Sequence, residues 1–120
     1  MPDPLYLHRM LSADLSPEDV AALRLEVRAH FHQLVALQAQ SELVATDLAE
    51  LLCTHLEELL DAAPSMSSEH RTTVVGAARY FISSHDAVPD DRACVGLDDD
   101  VAVFNHAVEQ IGRSELEIEA

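Results

Sequence analysis

Lysine and tryptophan are absent from this chain of 120 residues, glycine occurs three times, and the aromatic side chains are limited to two Tyr and three Phe. Each shortage excludes something. Seven Arg oppose 22 Asp and Glu, leaving a formal charge of −15 with His neutral. These arginines are scattered, so no basic cluster is available to displace counterions from nucleic acid, and the net sign is wrong for docking on anionic lipid. A basic protein partner is the electrostatically favoured alternative. Cys53 and Cys94 are the only cysteines and belong to no CxxC or Cys/His cluster, which removes the zinc site and the disulfide framework. No glycine-rich phosphate loop and no Gly-x-Ser-x-Gly elbow is present, and so few aromatics are a poor lining for a substrate pocket. The longest uncharged run, Ala29 to Ser41, holds thirteen residues including two His and three Gln. A bilayer span needs about 20 apolar residues. No amino-terminal stretch has the features of a secretory leader. The expectation is a cytoplasmic, non-enzymatic protein that needs no cofactor and binds another protein.

What is present is helical pattern. Pro2 and Pro4 precede Leu5, Tyr6, Leu7, Met10 and Leu11, whose spacing suits a short helix or a docked extended arm. Ser16-Pro17-Glu18-Asp19 predicts a helix start, because Ser caps free amides, Pro is tolerated at the first helical position, and early acids suit the helix dipole. From there Val20, Leu23, Val27, Phe31, Leu34, Leu37, Val44, Leu48, Leu51, Leu52, His55 and Leu59 recur at steps of three and four, the period of one buried helical stripe. No Gly or Pro interrupts until Pro64. An unbroken helix over 17–62 would be roughly 70 Å long, more than such a chain can cover, so a turn is expected near Gln38-Ala39-Gln40-Ser41. Without that turn, the stripe would call for a homodimer.

Pro64, Ser65, Ser67 and Ser68 offer a new cap, and Val74, Val75, Ala78, Phe81 and Ile82 mark the inner face of the next helix, ending near Ser83. The stretch from Ser84 to Leu97 contains Pro89, Gly96 and most of a cluster of six carboxylates: Asp86, Asp90, Asp91, Asp98, Asp99 and Asp100. It reads as an ordered acidic turn. Asp98 or Asp99 would cap a last helix with Val101, Phe104, Val108 and Ile111 on one face and Gly112 at its end. The acidic tail, 114–120, is expected to be mobile or bound to a neighbour, beside a single helical domain over 1–113.

The segment Tyr80-Phe81-Ile82-Ser83-Ser84-His85-Asp86-Ala87-Val88-Pro89-Asp90, with Gly96 and Asp99-Asp100 after it, resembles the signature of the YkvA-like bacterial domain of unknown function. That signature runs Tyr-x-Ile-Ser-Pro-x-Asp-x-x-Pro-Asp, then Gly-x-x-Asp-Asp and an apolar helix. The likeness covers about Thr73 to Phe104. Ser84 replaces the usual Pro, and His85 and Asp91-Arg92 replace apolar residues. The resemblance implies a small all-helical module and no defined reaction.

The acidic segment supports two roles. Asp86, Asp90 and Asp99 suit backbone capping, with Pro89 fixing one dihedral and Gly96 permitting a positive φ, and the surplus charge would offer a basic partner a docking surface. The alternative is a divalent cation held by Asp86, Asp90, Asp99 and Asp100, although the spacing matches no calcium loop. Among the histidines, His30 and His32 point to different helix faces, His55 reads as a core residue, and His85 and His106 flank the acidic segment. Together these readings predict an all-α bundle of four or five helices with an acidic turn before the last.

Overall fold

The computed structural model describes residues 4–38, 46–84 and 93–118. Five helices form: α1 (Pro4–Leu11), α2 (Pro17–Gln38), α3 (Thr46–Ala62), α4 (Ser68–Ser84) and α5 (Ala93–Gln110), with single 3₁₀ turns at Ala63–Ser65 and Ser114–Leu116. Among the described residues there is no strand. The molecule extends 40 × 27 × 25 Å, and α2, at 22 residues the longest helix, runs about 33 Å. The long apolar stripe is thus divided between two helices. Arg24 pairs with Asp61 and Arg28 with Glu57, so α3 runs antiparallel to α2. The length-based reason for a homodimer therefore does not arise.

Local capping chemistry sets the helix ends. Ser16 Oγ accepts the Asp19 amide at 3.2 Å and starts α2; Ser67 Oγ accepts the His70 amide at 3.1 Å and starts α4. At the end of α5, Gly112 takes φ 77°, Gly112 N donates to Glu109 O at 3.2 Å, and Arg113 N donates to Val108 O at 2.7 Å. This paired geometry satisfies the last carbonyls and reverses the chain.

Helix α4 is the hub, packed against each of the other four. Its five consecutive residues Val74 to Ala78 are all buried, more than a full turn, which a helix surrounded on every side requires. Small side chains let the neighbours approach. A Cβ on Gly76 would lie 2.0 Å from Ser12 Oγ and 2.8 Å from His8 Cδ2, so only glycine admits α1 at this distance. Phe81, Phe104, Leu34, Leu52, Leu56, Leu59 and Leu60 fill the centre, each less than 2 % exposed.

Three expectations need correction. Helix α5 starts at Ala93, so Gly96, Asp98 and Asp99 occupy helical positions instead of closing a turn or capping its start. Ala93, Cys94, Val95 and Leu97 all tolerate helix, and one interior glycine costs only about 1 kcal/mol, less than adjacent packing supplies. The tail is held as far as Ile118, which is 5 % exposed and whose backbone pairs with the Asn105 side chain. Leu51, assigned to the buried stripe, is 41 % exposed, while Leu56 and Leu60 take up the inner face of α3.

Candidate functional site

Of the residues singled out in the acidic segment, Asp86, Pro89 and Asp90 lie outside the described residues, as does His85. Gly96, Asp99 and Asp100 fall on α5. Asp100 is 3 % exposed and engaged in a polar interaction. Among the described residues, no group of three or more His, Cys, Asp or Glu is arranged to hold a metal ion.

The histidines separate as their spacing implies. His30 is buried with its ring edge-on to Phe81 at 5.0 Å, whereas His32 is exposed. His55 is stacked on Phe104 at 5.9 Å, an aromatic partner from α5. His8, which no periodicity marked out, is 3 % exposed. Its Nε2 lies 3.0 Å from Thr73 O; a carbonyl only accepts, so this nitrogen carries the proton. His106 stands edge-on at 6.3 Å. Burial pushes the His8 pKa down and the neighbouring His106 adds to this, against the bond to Thr73. These residues, with Arg9, Ser12, Glu69 and Gln110, line an open cleft of about 560 Å³ between α1, α4 and α5.

Two ionic constellations are structural. Arg71 donates from Nε to Asp14 Oδ1 at 2.6 Å and from Nη1 to the carbonyls of Ala63 and Met66 at 3.2 and 3.1 Å. Ser68 Oγ also donates to Asp14 at 2.7 Å. The connection before α2 is thus clamped to the one before α4, and the Arg71 and Ser68 bonds hold the Asp14 carboxyl down at about 2. Across the α2–α3 seam, Glu57 is 8 % exposed and takes both Nε and Nη2 of Arg28, with Arg24 Nη1 at 3.7 Å. Beneath this seam Cys53 is a free, buried thiol, raised to about 11 chiefly by burial.

The outward side of α2 is different in kind. Ala22, Leu25, Ala29, His32 and Ala36 recur at steps of three and four and are all exposed, Leu25 at 68 %. This second stripe lies opposite the buried Val20, Leu23, Val27, Phe31 and Leu34. No charged residue falls within it, although the chain carries 29 charged side chains, seven basic and 22 acidic. Exposed Glu18 ends it before Ala22 and exposed Glu26 borders one edge, while Arg24 and Arg28, paired with Asp61 and Glu57 of α3, border the other. Val35 is 39 % exposed, and the register of the Arg24–Asp61 and Arg28–Glu57 pairs brings it level with Leu51 at the edge of the same hairpin. Sequence periodicity missed this face because an apolar outer stripe and an apolar inner stripe share one period.

No helix among the described residues is long and apolar enough to cross a membrane. No family model, no curated protein and no solved structure matches the chain.

Proposed function

We propose that this chain is a non-enzymatic interaction module that docks a protein partner on the outward face of α2. The observation carrying this reading is the uncharged exposed stripe through Leu25 in a molecule of net charge −15. Apolar surface left in water costs about 25 cal/mol per Å², and a contiguous patch with a charged rim is the form in which interaction surfaces occur. The partner follows from the rim. With Arg24 and Arg28 already paired to Asp61 and Glu57, the unpaired sign of the rim is set by Glu18 and Glu26, which favour a helix whose apolar side is flanked by Lys or Arg, and the overall acidity steers such a partner inward before contact.

The acidic segment around Asp86 to Asp100 adds charge to this reading, and its YkvA-like resemblance supplies a module without a reaction. The test is a paired substitution, Leu25→Arg with Ala29→Arg. Both residues are exposed, so folding should change little, by about 0.5 kcal/mol per surface site. Affinity purification from the native organism should recover a protein with a basic surface on the unsubstituted chain, in a salt-sensitive manner, and lose it on the variant. The same proteins recovered by both would refute the assignment. A concentration-dependent dimer abolished by the substitutions would assign the face to a second copy instead.

A further inference from the structure

The cleft between α1, α4 and α5 has few hydroxyl protons left to give a ligand. Ser12 Oγ donates to His8 O at 2.7 Å, Thr72 Oγ1 to Ser68 O at 2.7 Å and Thr73 Oγ1 to Glu69 O at 3.2 Å, so each of these lining hydroxyls is committed to its own helix. Only their oxygen lone pairs remain. Glu69 adds a carboxylate and Arg9 one guanidinium, which leaves the lining close to neutral inside a chain of charge −15. Acceptors in such a field suit a cation better than an anion.

His8 makes the site specific. It is 3 % exposed yet lines the cleft, and its Nε2 proton is fixed on Thr73 O at 3.0 Å. Nδ1 therefore keeps its lone pair, and no described residue bonds it. The edge formed by Nε2 and Cδ2 is the one that meets Gly76, so Nδ1, across the ring, is turned away from α4. One imidazole N–H held by a backbone carbonyl, with the other nitrogen bare, is how proteins orient a histidine towards a metal ion.

A second imidazole already stands beside it. The His106 ring lies at 6.3 Å between centroids with its plane at 88° to that of His8, so two rings can approach one ion without overlapping. Metal–nitrogen bonds of about 2.1 Å place two ring centroids about 5 Å apart on a tetrahedral ion, which the pair reaches by closing about 1 Å. His106 is half-buried and makes no hydrogen bond to a described residue, so its side chain is free to make that movement.

We propose that His8 Nδ1 and His106 bind a divalent transition-metal ion of the zinc, nickel or copper class, with Glu69 balancing its charge and water completing the coordination. The ion ties the first helix to the last. The site uses neither Asp99 nor Asp100, and it does not depend on the α2 face.

The probe is Zn²⁺ alone, titrated at pH 7.5 into the tag-free full chain with ¹⁵N-labelled histidine and followed by NMR. One ion should bind with half-saturation in the micromolar range, shifting Nδ1 of His8 and one nitrogen of His106 while His8 Nε2 stays protonated. His106→Gln should weaken binding by about tenfold or more. Two exposed positions give variants that leave the packing intact: Glu69→Gln should weaken binding about threefold, and Arg9→Gln should strengthen it to a similar extent. Half-saturation only at millimolar zinc, equal binding by His106→Gln, shifts confined to the other histidines, or loss of the His8 Nε2 proton in place of coordination at Nδ1 would each overturn the proposal.

Discussion

Removing Arg28 tests whether the α2–α3 seam depends on a compensated buried charge. Glu57 has a side chain 10 % exposed and accepts two bonds from Arg28, whereas Arg24 approaches it only to 3.7 Å and forms an ion pair with Asp61 at 2.7 Å. Orphaning a fully buried carboxylate costs about 3–5 kcal/mol. Here both arginine side chains are nearly two-fifths exposed, so water and Arg24 compensate in part, and Arg28→Ala should cost about 2 kcal/mol. Arg24→Ala removes a longer contact and a pair with the 60 % exposed Asp61, so it should cost about 0.5 kcal/mol. In urea unfolding followed by circular dichroism, these become clearly separated midpoints; in a thermal melt Arg28→Ala should lie about 8 °C lower. A double-mutant cycle of Arg28→Ala with Glu57→Gln should return a coupling of about 1 kcal/mol. Equal costs for the two arginines, or no coupling in the cycle, would refute the reasoning, because the bidentate geometry would then contribute nothing beyond an exposed ion pair.

Three further outcomes follow from the same packing. Gly76→Ala gains about 1 kcal/mol of helix propensity, yet its Cβ meets Ser12 Oγ and the His8 ring, and overpacking of this kind costs about 1–3 kcal/mol; melts should show net destabilisation, partly reversed by adding Ser12→Ala. Acidification should loosen α1. The lowered His8 pKa means that the unfolded chain takes the proton first, so this stability is complete above the ordinary value of 6.5 and is lost as pH falls below it. The protection of the α1 amides, taken relative to their intrinsic exchange rate at each pH, should therefore fall between neutral pH and about pH 5, and His8→Gln should remove that dependence, with Glu69, Arg9 and His106 as the nearby groups to hold unchanged. Cys53, held at about 11, should resist iodoacetamide at pH 8 in peptide-mapped labelling and react once urea is added, and labelling of the folded chain would contradict its burial.

What the sequence revealed depended on range. Ser16, Ser67 and Gly112 act within one helical turn of their own positions, so residue type alone predicted the starts of α2 and α4 and the end of α5. The apolar period located the buried face of α2. It could not assign Leu51 to solvent and Leu56 to the core, since both fit the stripe and only the position of α4 and α5 distinguishes them. Gly96 was misleading for the opposite reason: its type suggested a turn, and helix α5 runs through it. Features that depend on distant partners left no trace in the pattern. Gly76 matters because α1 arrives from more than sixty residues away, His8 because Thr73 accepts its proton, and Asn105 because Ile118 returns to it. Of the acidic segment, Asp86, Pro89 and Asp90 lie outside the described residues.

The outward face of α2 carries the proposed docking function, and photo-crosslinking from a benzophenone side chain placed at Leu25 tests it directly. In cells of the native organism it should yield one dominant adduct with a protein of basic surface, diminished by salt in lysate, and absent when the same group is placed at Glu69 on the α4 surface. Identical adducts from both positions, or none from Leu25, would contradict the claim that this stripe is where a partner docks.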